Sequence, residues 1–316
     1  MKSEGHAGTS HDEFGVRVCP RCSAQSVISP GRIVWEAGGS CDICGHATPM
    51  ADGIPLLAPE LADTISGFDP AGFSALAAVE DTNFWFVPRN RLIAGLIAKY
   101  FPQARRFLEI GCGNGYVLAG VAGLREWEIL VGSELHPIAL RTARARLGRR
   151  AQFVQMDARK ILARDAFDLI GAFDVLEHIE EDEMVLAAMH QALCPGGGVL
   201  IAVPQHPFLW SQVDENAHHV RRYRRGEMER KLESAGFEIL FSASYTALLL
   251  PLMAASRFRK RRSAPDGSQV ISEIDVSTTL NGALKWLLQR EVSATLSGFR
   301  FPAGGSRVVA ARRARA

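Results

Sequence analysis

The chain contains no run of eighteen apolar residues, so nothing in it reads as a membrane-spanning helix. Its first residues, MKSEGHAGTSHDE, put charges and glycines where a secretory leader would carry an apolar stretch; a cytoplasmic protein is the expectation. An excess of one charge sign is also missing. Lys and Arg number 36 against 34 Asp and Glu, and a net charge of +2 excludes recognising a nucleic-acid binder from bulk charge alone. Internal repeats are absent, which excludes solenoids and arrays. The six cysteines are not spread as a disulfide framework would be, because four form two C-x-x-C pairs near the start and two stand singly in apolar surroundings.

Those pairs, Cys19 with Cys22 and Cys41 with Cys44, are separated by 18 residues, enough for a hairpin that returns the second pair to the first. Four thiolates so placed suit one tetrahedral Zn²⁺, and with no position left for water the metal is expected to be structural. Asp52-Gly53 then reads as a turn and Ile54 to Leu57 as a short strand closed by prolines. From Val18 to Pro59 the chain resembles the zinc ribbon that partners, or is fused to, tRNA, rRNA and translation-factor methyltransferases.

From Arg105 short apolar runs alternate with helical stretches: RRFLEI, GYVLAGVAGL, WEILVGSEL, PIALRTARARL, AQFVQMD, FDLIGAFDVL, EEDEMVLAAMHQAL, GGVLIAVP. This alternation predicts an α/β fold with a Rossmann-like doubly wound parallel sheet, whose ligands sit at the carboxyl ends of the strands. Gly111, Gly113 and Gly115 fall where a cofactor approaches the backbone. The spacing is G-x-G-x-G, not the G-x-G-x-x-G that receives a pyrophosphate, and Glu109 before it would repel one but attract an ammonium. Glu134 ends the second strand, placed to accept from ribose hydroxyls, and Asp157 with Ala158 ends the third, placed to read an adenine edge.

LEIGCGNG, GSEL, QMDA, FDVLEHIEEDE and LCPGGGVLIAVP, in that order, resemble the successive motifs of class I S-adenosylmethionine-dependent methyltransferases. The resemblance implies a seven-stranded sheet whose last, antiparallel strand is SRVVAARR. It places Glu109, Gly111 and Gly113 at the methionine moiety, Glu134 at the ribose, Asp157 and Ala158 at the adenine, and Asp174 at the reaction centre.

On the acceptor side, His178 follows the fourth strand and is the candidate base, or else packs the next helix. The loop after the fifth strand gathers His206, Trp210, His218, His219, Arg221, Arg222 and Tyr223, expected as a substrate wall whose arginines would receive a phosphate, carboxylate or sugar phosphate. Its H-x-R-R-Y pattern resembles that of bacterial methyltransferases of saccharide pathways. Ahead of the core, DTNFWFVPRNRLIAGLIAKYF is expected as an aromatic lip and helix over the methionine end, with Trp85, Arg89 and Arg91 as contacts.

The division expected is an N-terminal segment 1–15, ribbon 16–60, linker and lid helices 61–100, cofactor-binding core 101–245, helical apolar and basic insertion 246–300, and last strand with basic tail 301–316. The insertion begins apolar and turns basic, so 246–262 is a candidate for peripheral contact with an anionic membrane; LNGALKWLLQREV is expected as a helix covering it. The function expected is O-methylation of a small molecule or lipid-linked saccharide. RNA is the rival acceptor, although the N-P-P-Y-like motif of base-amino methylation is missing. A non-catalytic partner protein that kept the fold is the rival of another class.

Overall fold

The computed structural model describes residues 15–29, 33–36, 38–62, 72–260 and 276–314. Residues 1–14 lie outside them, as do 261–262 of the stretch 246–262 that the sequence set against a membrane, and 257–260 are described as helix only. Two short hairpins come first: β1 (Val16–Val18) with β2 (Gln25–Val27), and β3 (Met50–Ala51) with β4 (Ile54–Pro55). Helices α1 (Gly72–Val79) and α2 (Phe86–Tyr100) lead into the core.

The core runs β5 (Arg106–Ile110), α3 (Tyr116–Ala122), β6 (Ile129–Glu134), α4 (Pro137–Leu147), β7 (Gln152–Gln155), a two-residue β8 (Ala163–Arg164), β9 (Phe167–Phe173), α5 (Asp182–Ala192) and β10 (Leu193–Pro204). It continues with α6 (Gln212–Asn216), α7 (Glu227–Ser234), β11 (Phe237–Tyr245), α8 (Leu250–Lys260), α9 (Thr278–Leu296) and β12 (Ser306–Arg313). Seven of these strands form one sheet in the order β11-β12-β10-β9-β5-β6-β7, with β12 antiparallel to both neighbours and the strands from β10 to β7 parallel. The order reverses at β5, so the crevice at the switch point opens above its carboxyl end.

Sequence explains the local choices. β6, ILVGSE, is buried throughout, as a central parallel strand covered on both faces must be. In α4, Pro137 occupies the first turn and Ala139, Leu140, Ala143 and Leu147 bury one face, with Arg144 and Arg146 near the carboxyl end where the helix dipole favours cations. Two apolar clusters, one on each side of the sheet, hold the layers together.

The cysteine module is joined to the core by backbone. β1 pairs antiparallel with β8, Leu56 bridges Gln155 of β7, and the Leu57 N–H donates to the Gln155 carbonyl at 2.8 Å. The Gln155 side chain accepts from the Ala58 N–H at 3.0 Å and donates to its carbonyl at 2.7 Å. The Asp52-Gly53 turn is pinned by Arg141 (2.6 Å to the Asp52 carboxylate) and by Arg144 on the Asp52 carbonyl. α9 packs along α2, where Lys99 donates to the Leu296 carbonyl and the Phe84 N–H to Asn281. The sequence set this helix over the apolar stretch that holds α8; α9 meets the start of that stretch, where Glu291 accepts the Ala247 and Leu248 N–H groups at 3.0 Å, and it also packs against α2 at Gly95, where a Cβ would come 2.6 Å from Leu296.

Candidate active site

The chain leaves β5 through three glycines with positive φ: 64° at Gly111, 50° at Gly113 and 72° at Gly115. At Gly111 a Cβ would lie 2.4 Å from Val175, and at Gly115 one would lie 2.9 Å from Ala143, so space as well as dihedral angle demands glycine. Glu134, at the end of β6, holds this turn: one carboxylate oxygen accepts the Gly113 N–H at 3.1 Å, the other those of Leu135 at 2.7 Å and His136 at 3.2 Å. Burial raises its pKa, and these bonds oppose the rise.

Glu109 is 2% exposed, and one of its carboxylate oxygens has no hydrogen-bond partner. Burial pushes its pKa well above the usual carboxylate range; Arg89 opposes the shift and Glu134 adds to it. Asn114 donates to the Phe73 carbonyl at 2.7 Å, tying α1 over the glycine turn, while its own amide oxygen and both ring nitrogens of His136 are buried without partners. Asp157 pairs with Arg159 at 3.0 Å and accepts its N–H at 2.9 Å; Ala158 beside it is buried. Buried polar atoms without partners cost about 1–3 kcal/mol each, and a polar ligand bound along this line would satisfy them. A nucleoside bearing an ammonium group fits that donor set.

At the next strand end Asp174 stands at φ 57°, in a region that side chains other than glycine's rarely adopt, with its N–H held by the Ala202 carbonyl at 2.9 Å. Its carboxylate meets Arg89 of α2 at 2.5 Å. The turn Leu176–His178 then presents Glu177 and His178. Glu177 is fully buried with neither oxygen hydrogen-bonded, and burial with the Asp174 charge pushes its pKa well up. The His178 ring meets that of His219 edge to face at 4.7 Å; burial, then the His219 neighbour, push His178 down to about 3, so it is neutral at physiological pH. His219 Nδ1 donates to Asp214 across 2.9 Å, and Arg222 donates to the same Asp214 oxygen at 2.6 Å. Burial alone would raise Asp214, but its bonds to His219 and Arg222 outweigh it and hold the pKa below the ordinary value.

The expected substrate wall is brought together only in part. His219 joins Glu177 and His178. Arg221 is engaged by Asp182 (2.9 Å) and the Glu180 carbonyl, Arg222 by Asp214, and the fully buried Tyr223 donates to Asp182 at 2.8 Å. Arg221 and Tyr223 bind the loop to the start of α5 and Arg222 binds it to α6, so the anion the sequence assigned to the arginines is internal carboxylate. His218 is exposed, Trp210 donates to Glu215 at 3.4 Å, and His206 is half-buried at φ 65°. Arg89 reaches the crevice, whereas Arg91, two residues along the helix and therefore on another face, is exposed and donates to the Gln289 carbonyl of α9. Glu177 and Tyr245 were not singled out by sequence. Tyr245 ends β11 with a buried, unpartnered hydroxyl in the field of Arg89 and Asp174, and its ring lies 6.2 Å from that of Trp85.

At the other end of the chain Cys19, Cys22, Cys41 and Cys44 converge, all four sulfurs within 4.8 Å of one another. The Cys19–Cys44 and Cys22–Cys41 separations are 3.8 and 3.6 Å. Tetrahedral Zn–S bonds of about 2.3 Å put neighbouring sulfurs about 3.8 Å apart, so the cluster is compatible with a zinc ribbon.

A family model described as "Methyltransferase domain" matches residues 86–241. The ubiquinone biosynthesis O-methyltransferase of Aromatoleum aromaticum is 27% identical over 206 residues, 59% of this chain and 81% of that protein. The trans-aconitate 2-methyltransferase of Methylobacterium radiotolerans is 33% identical over 119 residues, 37% of this chain and 45% of that one. Among solved structures, the phosphoethanolamine N-methyltransferase 2 of Haemonchus contortus, in a complex containing S-adenosylhomocysteine, superposes with a TM-score of 0.52 at 19% identity, covering 78% of this chain and 57% of that chain. A sarcosine dimethylglycine methyltransferase structure from Galdieria sulphuraria gives 0.52 at 13% identity, covering 78% and 98%. The family match, the methyltransferase relatives and the sheet order agree with the motifs of the glycine turn: the chain belongs to the class I S-adenosylmethionine-dependent methyltransferases.

Proposed function

We propose that this methyltransferase acts on a hydroxyl oxygen of a small molecule. The observation that carries the reading is the polar group after β9, where Glu177, His178 and His219 converge and Asp174, paired with Arg89, acts on Glu177. A relative named for O-methyl transfer in ubiquinone biosynthesis and another named for trans-aconitate support a small acceptor. Lipid-linked saccharides remain the finer class of acceptor to test. Contact of 246–262 with a membrane and RNA as acceptor have no support beyond the sequence; no helix among the described residues is long and apolar enough to cross a membrane.

S-adenosylmethionine, when bound, supplies an electrophilic methyl group with its own thioether leaving group. In this proposal Glu109 faces the ammonium of the methionine moiety, Gly111, Gly113 and Gly115 let the backbone approach, Glu134 accepts from the ribose, and Asp157 with Ala158 reads the adenine. α1 excludes water through Phe73. Asp174, fixed by Arg89, orients the acceptor. His178, neutral and buried, is better suited to hold an oxygen than to take its proton. We assign residues 16–60 to a ribbon that holds a structural Zn²⁺ and is seated on the 101–245 core.

The test is calorimetric binding of S-adenosylmethionine and its demethylated product, followed by mass detection of methyl transfer to a panel of phenols, carboxylic acids and saccharides. Ether products support the reading. Methyl esters or N-methyl products alone overturn it.

A further inference from the structure

We infer that Glu177, His178 and His219 form a second metal site, which binds a divalent first-row transition cation beside the acceptor. One ligand atom from each residue lies within 4.8 Å of the others, and His219 Nε2 is 4.0 Å from a Glu177 oxygen. Metal–ligand bonds of about 2.0–2.2 Å place neighbouring donors about 3–3.5 Å apart, so side-chain adjustment of an ångström or so closes the site.

Two independent features point at a cation. Glu177 is fully buried with both oxygens unpartnered, and His178 Nδ1 is likewise buried and unpartnered. His219 is also held as metal-binding imidazoles are held. Its Nδ1 faces Asp214 at 2.9 Å, which places the proton there and turns the Nε2 lone pair toward Glu177. Asp214 is fixed in turn by Arg222 and by the Ser211 cap of α6. The loop after β10 thereby acquires a purpose that substrate contact did not provide: it delivers His219 to the turn after β9, with the Val220 N–H donating to the Glu177 carbonyl at 2.7 Å.

Two imidazoles and one carboxylate suit Mn²⁺, Fe²⁺, Co²⁺ or Zn²⁺ better than Mg²⁺ or Ca²⁺, and three protein ligands leave positions open. Resting on the hydroxyl-acceptor reading, the open positions take the acceptor oxygen. The cation lowers that hydroxyl's pKa, its proton passes to solvent, and an oxygen–carbon bond forms as the sulfonium carbon–sulfur bond breaks with the electron pair staying on sulfur. Asp214 is a positioning residue, since it acts through His219.

The experiment uses the full chain carrying one equivalent of zinc, titrated with Mn²⁺ while free Mn²⁺ is followed by electron paramagnetic resonance. One Mn²⁺ per chain is expected, with affinity reduced at least tenfold in Glu177→Gln and His219→Ala, and 10- to 100-fold in Asp214→Asn. Glu177→Gln is nearly isosteric and removes a buried charge. Should the variants fail to fold, Co²⁺ added to the wild type decides: weak visible bands of nitrogen and oxygen ligation support the site, while only intense thiolate charge-transfer bands overturn it. No Mn²⁺ uptake at millimolar concentration by the wild type, or equal uptake by folded variants, also overturns it. Binding of S-adenosylhomocysteine, measured on the same samples, separates failure of the metal site from failure of the cofactor site.

Discussion

The Arg89 guanidinium lies 2.5 Å from the Asp174 carboxylate, joining α2 to the end of the fourth core strand across the mouth of the crevice. Arg89 is nearly buried and Asp174 is about one-third exposed, so part of the interaction is screened. Arg89→Met should cost about 1–3 kcal/mol of stability and lower kcat/KM. Asp174→Asn in the Arg89→Met background should cost much less than in the wild type. Additive losses in urea denaturation would show that the two side chains act separately.

Glu134 accepts three backbone N–H groups and is the residue proposed for the ribose. Glu134→Ala should weaken S-adenosylhomocysteine about 10- to 100-fold, the loss expected when one or two hydrogen bonds to a charged group disappear. Glu134→Gln, which keeps the shape of the glycine turn, should lose less. Calorimetric affinity unchanged in both would remove the ribose assignment.

Much of this arrangement was legible in sequence because it is local. PIALRTARARL and SRVVAARR span the same residues as α4 and β12, and the glycine turn with Glu109, Glu134 and Asp157 falls at successive strand ends as the alternating pattern requires. Illegible features depend on partners distant in the chain. Nothing near Val16 announces that it will pair with Arg164, and nothing near Arg221 announces that Asp182 will take it. Arginines expected to bind a ligand anion were instead satisfied internally, the ordinary outcome where a folded loop supplies its own carboxylates. Glu177 had one signal in the sequence, an acid inside the apolar run DVLEHI, but its burial depends on the distant loop that carries His219.

Glu109 carries a pH dependence with a definite sign. Its folded pKa is raised by burial, so the folded chain holds a proton that the unfolded chain releases. Its contribution to stability is therefore present at acid pH and falls as pH rises above the unfolded value, about 4.3. Glu109→Gln should melt higher than the wild type at pH 8, with the difference shrinking toward pH 5. Glu80, Glu134, Glu177 and Glu291 are raised in the same direction, so the variant flattens the profile only in part. Since an ammonium ligand favours the ionised carboxylate, wild-type affinity for S-adenosylhomocysteine should rise with pH while that of Glu109→Gln stays weak and flat. Equal melting temperatures at pH 8 would contradict the assignment.

Trp35 tests how the ribbon and core depend on each other. It belongs to the cysteine module, yet it is 6% exposed, donates to the Leu162 carbonyl at 3.2 Å and lies 6.2 Å from the Phe167 ring. Removing so large a buried side chain should cost about 3–5 kcal/mol, read as a fall in the urea midpoint of the whole chain. Withdrawing zinc with a chelator should release the same contacts from the other side, because β1, which pairs with β8, runs directly into Cys19. Trp35 fluorescence should shift to the red on chelation while the helical circular dichroism of the core persists. If Trp35→Ala melts like the wild type and chelation leaves the fluorescence unmoved, the module is neither zinc-dependent nor a support for the sheet edge at β7 and β8.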